Sequence, residues 1–409
     1  MVEYESRSDR IVGSEGGVFL IQNKTGLSLA MIVKDEENCI TRCLDSVIDL
    51  VDEMVIVDTG STDNTIDICR SYNARVFNYS WNNNFAEARN FGLAKVTQDW
   101  VLWLDADEKV ARENREQLSN QDLFANYDAL SVPIINFYGE KVNHDEIAKI
   151  AQPRLFRNHM GFRFENKIHE WLNISSAYDQ ERVGFLDLKI YHYGYLNTQV
   201  ENKQKFLRNV ELLLQELKEE KNHAWTHYYL AMEYYRRNRL KTAFEHVNQS
   251  ITLFIKEGII PPPSMLYSLK YSILIRTESW EGAWPGIKSA VRMFPDYVDL
   301  KFYMGVILYY KQMYQEALDC FQACIHLGED NLNYLSIKGL GSFWAWFYIG
   351  RCFEKLRDPE EAFLAYLKSL MVSNNFLPAR EAINKLIDMQ PALAGRIKYL
   401  KPEFRRLLQ

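Results

Sequence analysis

Long apolar runs are missing from this chain. The stretch "YMGVILYY" (303–310) is far shorter than the ~20 residues that cross a bilayer, so no membrane span is expected. The opening MVEYESRSDR has no basic-then-apolar pattern, so no secretory signal is expected and the chain reads as cytoplasmic. An excess of positive charge is also missing. Lys and Arg number 48 against 54 Asp and Glu, a net charge of −6, which argues against a nucleic-acid binder. Cysteine is scarce, six in 409 residues. Cys39/Cys43 and Cys320/Cys324 sit one helical turn apart with no further ligands nearby, so reduced core thiols are expected rather than a zinc site or a disulfide framework. No GxxxxGK[ST] loop occurs, which excludes a P-loop nucleotidase. No GxGxxG follows the first apolar run, which argues against a dinucleotide-binding dehydrogenase.

Hydrophobic residues make up 47% and charged residues 25%, enough for a sizeable core, and the length predicts two or three domains. Two grammars divide the chain. In the first, "LSLAMIVK" (27–34), "EMVIVD" (53–58), "ARVFNYS" (74–80) and "DWVLWLDAD" (99–107) have strand character. Between them "NCITRCLDSVIDLV" (38–51), "TIDICRSY" (65–72) and "FAEARNFGLAKV" (85–96) have helical spacing. This alternation predicts an α/β domain with a mostly parallel sheet, whose ligands bind outside the carboxyl ends of the strands. Acidic residues gather at those ends: Asp35 and Glu36, Asp58, Asp105 and Asp107.

From about residue 205 strand patterns vanish. Small residues recur twelve positions apart: Ala231 and Ala243, Gly305 and Ala317, Gly350 and Ala362, with Tyr271 and Ala283 at the same spacing. This pattern resembles degenerate tetratricopeptide repeats, which build concave surfaces for peptides or partner subunits. The aromatic run "GSFWAWFYIG" (341–350) is expected to pack inward. The expected organisation is an N-terminal extension (1–26), an α/β domain (27–200) and an all-α repeat domain (205–409), with a linker near 193–204.

Asp105 and Asp107 flank one residue at a strand end. Neighbouring carboxylates repel, and a divalent cation relieves that repulsion. Hard oxygen ligands suit Mg2+ or Mn2+, whose open positions a substrate diphosphate can fill.

Taken together, "SLAMIVKDEENCITRCLDSV", "EMVIVDTGSTDNTIDI" and "WNNNFAEARNFGLAKVTQDWVLWLDADE" resemble glycosyltransferase family 2, inverting nucleotide-sugar transferases of GT-A fold. "QPRLFRNHMGFRFENKIHEWL" (152–172) and "LKIYHYGY" (188–195) extend the likeness to the subgroup with C-terminal helical repeats. That subgroup includes the sublancin-type bacteriocin peptide S-glycosyltransferases. The resemblance implies a UDP-sugar donor and a metal held by Asp105, Asp107 and His192. It implies a nucleotide site drawing on Val33, Lys34, Glu36, Asp58, Arg89, Asn90, Asp105 and Ala106. Arg89 would sit near the diphosphate; the alternative is a surface ion pair with Glu87 or Asp107.

Inversion needs one displacement at the anomeric carbon and a carboxylate to take the acceptor proton. Glu170, with His169 as support, is the expected base, with Glu165 and Glu108 as fallbacks. The expected reaction moves glucose or N-acetylglucosamine to a peptide, at Cys or Ser. A saccharide or lipid-linked acceptor is the alternative. A non-catalytic repeat scaffold with a relic GT-A domain is the third reading, and the intact acidic motif argues against it. The repeats also offer a surface for a homodimer.

Overall fold

The computed structural model describes residues 25–174, 180–196, 203–219, 223–391 and 393. Residues 1–24 of the expected extension and 197–202 of the expected linker lie outside them.

The first half is a mixed sheet with helices on its faces. In chain order it runs β1 (Leu27–Val33), α1 (Ile40–Asp45), β2 (Glu53–Asp58), α2 (Thr65–Ser71), β3 (Arg75–Asn78), α3 (Phe85–Leu93), β4 (Trp100–Trp103) and β5 (Glu108–Val110). Then come α4 (Gln121–Asn126), β6 (Ala129–Phe137), β7 (Ile147–Arg157), a small hairpin of β8 (Phe164–Glu165) and β9 (Trp171–Leu172), β10 (Val183–Phe185) and β11 (Ile190–His192). The strand order is β3-β2-β1-β4-β7-β6-β11-β5, with β10 beside β6. β3, β2, β1 and β4 are parallel. β7 is antiparallel to both β4 and β6, and β11 is parallel to β6. The carboxyl ends of β1, β2, β4, β6 and β11 therefore meet at one rim. This explains how His192 comes to the acidic motif after β4.

β1 and β2 are nearly continuous apolar runs because helices cover both faces of the sheet, and Leu29, Ile56 and Leu102 are fully buried. The helix expected over 38–51 is regular only over Ile40–Asp45. Beyond it the backbone is diverted. The Ser46 hydroxyl donates to the Cys43 carbonyl and accepts from the Val110 N–H, and the Ser46 carbonyl accepts from Arg115.

The second half is helical: α5 (Lys203–Glu219), α6 (Ala224–Arg236), α7 (Leu240–Lys256), α8 (Ser264–Arg276), α9 (Trp280–Ala283), α10 (Gly286–Met293), α11 (Val298–Tyr310), α12 (Tyr314–Leu327), α13 (Phe343–Lys355), α14 (Pro359–Val372) and α15 (Leu377–Met389). The twelve-residue spacings fall on helical hairpins. Ala231, Ala243, Ala283, Ala317 and Ala362 are buried at the crossings. Gly350 packs where a Cβ would come 2.5 Å from the Tyr366 ring, so only glycine lets those helices approach so closely. Pro285 lacks the N–H that a continuous helix needs, and it separates α9 from α10. The 341–350 aromatic run packs as expected, with Phe343, Ala345, Phe347 and Ile349 buried.

The halves are stitched at two places. Between α12 and α13 a short strand, β12 (Ser336–Ile337), pairs antiparallel with Lys149 and Ala148 of β7. At the other end, residues 167–172 lie against α5 and α6. Among the described residues no helix is long and apolar enough to cross a membrane.

Candidate active site

The carboxylates gathered at the rim are each held differently. Glu108 is buried and receives two guanidinium bonds from Arg154, at 3.0 and 2.7 Å, while its Oε2 accepts the Asp105 N–H. Burial pushes the Glu108 carboxyl above its usual range despite Arg154. Both Glu108 oxygens are taken up in this buried ion pair with Arg154. The Arg154 guanidinium also lies 3.7 Å from the centre of the Trp103 ring.

Asp105 accepts a 2.6 Å bond from Arg89 Nη2, and Arg89 Nε donates to Glu170 Oε1, also at 2.6 Å. Burial works to raise the Asp105 carboxyl, but Arg89 and Arg154 outweigh it and hold it below the usual carboxylate range. The Arg89 side chain is only 7% exposed. Its ion-pair partners are Asp105 and Glu170 rather than the alternative Glu87 or Asp107. Two internal carboxylates claim the fork. Asn90 is likewise engaged. Its amide accepts from the Phe164 N–H at 2.8 Å and donates to the Phe164 carbonyl at 2.9 Å, pinning β8 to α3.

Asp107 faces His192, with Oδ1 3.6 Å from Nε2. The other ring nitrogen, Nδ1, lies 2.8 Å from Asn136 Oδ1. Asn136 donates its amide N–H to the Ala148 carbonyl, which turns Oδ1 to the ring and assigns the His192 proton to Nδ1. Nε2 is the nitrogen that faces Asp107. Burial lowers the His192 pKa, but Asp107, Glu108 and Asp105 outweigh it and leave it raised. Over this pair passes the Gly194 backbone. A Cβ there would lie 2.3 Å from Asp107 Oδ2 and 2.6 Å from His192 Nε2, so glycine keeps the space open.

Asp107 and His192 form a borderline-hard pair suited to Mg2+ or Mn2+. Asp105 does not join them, because Arg89 turns it aside. Among the described residues no three His, Cys, Asp or Glu side chains converge closely enough to hold an ion. Of the three expected ligands, Asp107 and His192 face each other and Asp105 is bonded to Arg89.

Glu36 faces the same rim. Burial, with Asp107 and Asp105 nearby, raises its carboxyl, and it accepts the Cys39 thiol at 3.0 Å. Asp58 accepts the backbone N–H groups of Gly60 and Ser61, so its carboxylate organises the turn after β2. Val33 and Ala106 are buried in the sheet core and can meet a ligand only through their backbone. Lys34 is exposed at the β1 end. Asp35 and Glu37 lace the loop after β1 to the loop after β2, binding the backbone of Thr62 and Asn64.

Glu170 keeps Oε2 without a hydrogen-bond partner among the described residues. His169 points away from it. Its ring stacks on Tyr229 of α6 at 4.2 Å. Glu165 pairs with Arg163 on the surface.

Beyond His192, Tyr195 presents its ring edge-on at 4.6 Å. Tyr195 is also a wall of a cleft of about 470 Å3 between the two halves, lined further by Tyr138, Tyr228, Tyr235, Arg236 and Met265. Sequence reasoning missed Arg154, Asn136, Gly194 and this cleft. Arg154 in "QPRLF" and Asn136 in "PIINF" are polar residues inside apolar strands. That is the signal of a buried group with a partner.

Residues 28–188 match the model of glycosyl transferase family 2. The chain is 30% identical over 264 residues to a TPR repeat-containing protein of Synechococcus elongatus, covering 63% of each. It is 27% identical over 237 residues to the SPbeta prophage-derived glycosyltransferase SunS of Bacillus subtilis, covering 56% of this chain and 54% of that one. The chain thus spans less than two thirds of the length of either relative. Among solved structures, the TPR protein YrrB superposes with a TM-score of 0.36 at 17% identity, over 45% of this chain and 87% of that one.

Proposed function

We propose, from the premise that residues 28–188 form a glycosyl transferase family 2 domain, that this chain is an inverting, metal-dependent transferase moving a sugar from a UDP-sugar to a peptide. The observation that carries the reading is the Asp107–His192 pair under Gly194, at the rim where the strand ends meet. Two protein ligands leave an ion several open positions, which the donor diphosphate can fill. A bound Mg2+ or Mn2+ would supply charge stabilisation to the departing UDP. Glu36 and the laced loops after β1 and β2 form the nucleotide side, with Asp58 holding the turn.

On the acceptor side Glu170 Oε2 takes the acceptor proton as the acceptor atom bonds to the anomeric carbon and the bond to UDP breaks. Arg89 fixes the direction of that carboxylate by holding its other oxygen. The tyrosine-lined cleft behind Tyr195 gives an acceptor peptide a path to the rim. Tyr, Met and Arg are enriched in protein–protein interfaces. A cysteine acceptor, with its ordinary pKa near ~8.5, needs less help from the base than a hydroxyl does.

The test is UDP release from UDP-glucose and UDP-N-acetylglucosamine with Mg2+, Mn2+ or chelator, alongside cysteine- and serine-containing peptides followed by intact mass. Metal-dependent release with a sugar-sized mass gain on peptide supports the reading and names the sugar. Release without a peptide adduct moves the acceptor to a saccharide or lipid. Absence of donor turnover and of UDP binding with every metal overturns the enzyme reading.

A further inference from the structure

The segment that carries Glu170 is held by both halves: the Phe85 N–H of α3 donates to the Lys167 carbonyl at 2.8 Å and Leu172 packs in a sheet-domain cluster, while other side chains of the segment are gripped by the helices. Lys167 pairs with Glu219 of α5 at 2.6 Å. Ile168 is buried in a cluster with Leu212 and Leu213 of α5 and Leu230 of α6. Trp171 meets the edge of Trp225 in α6 at 5.6 Å. Between them His169 adopts a left-handed backbone, φ 54°, and lays its ring on Tyr229 at 4.2 Å and 15°. A non-glycine residue in that region is held there by its surroundings. His169 Nε2 is buried without a hydrogen-bond partner. Its nearest acid, Glu233 at 3.9 Å, is already bonded to Asn209 and Arg236. Stacking on Tyr229 is therefore what anchors the ring. Glu170 turns back toward the sheet domain and meets Arg89.

We propose that the first helices of the repeat half belong to the catalytic apparatus, with Tyr229 a positioning residue that acts through His169 to hold the Glu170 carboxylate at the rim. The proposal rests on Glu170 being the base. Loss of the stack frees His169 from its strained conformation, and the next residue loses its aim. The donor site lies on the other side of Arg89 and is untouched. Such misplacement lowers turnover without weakening donor binding.

The experiment measures kcat, donor KM and thermal unfolding for full-length Tyr229→Ala, Tyr229→Phe, Glu170→Gln and Tyr229→Ala/Glu170→Gln, using the peptide and metal that turn over in the assay above. The expected results are a kcat lower by about ten-fold or more for Tyr229→Ala with donor KM unchanged, and near-complete rescue in Tyr229→Phe, which keeps the ring. The double variant is expected to be no slower than Glu170→Gln alone. Tyr314→Ala, a truncation on Tyr309 deep in the repeats, is expected to lower the unfolding temperature without changing kcat. Should Tyr229→Ala not fold, His169→Asn replaces it, since asparagine tolerates the left-handed backbone and lacks the ring. Wild-type kcat in the folded ring-deleted variant, with Glu170→Gln inactive, overturns the proposal alone. Wild-type kcat in Glu170→Gln overturns the base assignment and the proposal with it.

Discussion

Glu108 is the rim carboxylate that solvent does not reach, and Arg154 is its buried counterpart. Removing one partner of such a pair strands the other charge. Glu108→Gln is expected to cost about 3–5 kcal/mol in urea unfolding. Replacing both, as Glu108→Leu/Arg154→Met, is expected to recover most of it. Gly194→Ala tests the open space above Asp107 and His192. In the assay of the proposed function it is expected to cut donor turnover at least ten-fold, from the fold-scale of a misplaced group, while the unfolding midpoint hardly moves. His169 gives a pH signature. Burial pushes its pKa down to about 3, whereas the unfolded chain takes up that proton below about 6.5. Stability from this group is intact above that value and is lost as pH falls, by about 2 kcal/mol at pH 5. Urea midpoints at pH 7 and 5 are expected to lie closer together in His169→Asn than in the native chain. At this scale the sequence made the acids legible but not their partners. Arg89 matched a phosphate-binding pattern, yet Asp105 and Glu170, 16 and 81 residues away, hold it. Only tertiary pairing could reveal that.

Among the elements, α3 matters most, since it carries both Arg89 and Asn90. Its start is fixed by Asn84, whose side chain accepts the Glu87 N–H at 3.1 Å and donates to the Glu87 carboxylate at 2.8 Å. Asn84→Ala is expected to lose about 1 kcal/mol in urea unfolding. The strands and helices up to β4 were legible because each has a clear period. β5 and β9 were not, since strands of two or three residues are too short to show one. The rim position of His192 was legible only as a family likeness. The parallel pairing of β11 with β6 is a long-range event that no local pattern encodes.

For the whole molecule, the two stitches make the halves one working unit. β7 pairs with β4 only over Leu155–Arg157, and at its other end β12 covers Ala148 and Lys149. Ala151 also donates to the Leu332 carbonyl at 2.9 Å. Replacing 332–338 by a Gly/Ser segment of equal length bares that edge. It is expected to lower the unfolding temperature and to raise light scattering on warming, because an unpaired edge recruits other chains. The division into a sheet half and a repeat half was legible from the change of period near 205. That the second half lends a strand to the first was not, because a two-residue strand inside a loop leaves no mark in the sequence.

That borrowed strand also sets an order of events during synthesis. Ala148 and Lys149 leave the ribosome long before Ser336 and Ile337 exist. The nascent sheet must wait, one edge incomplete, while nearly half the chain is made. Loop closure over that separation is slow, and exposed edges invite misassembly meanwhile. A translating ribosome would thus carry a glycosyltransferase-like domain that is built but not yet sealed, and premature termination anywhere before residue 336 would release a chain with an unguarded sheet.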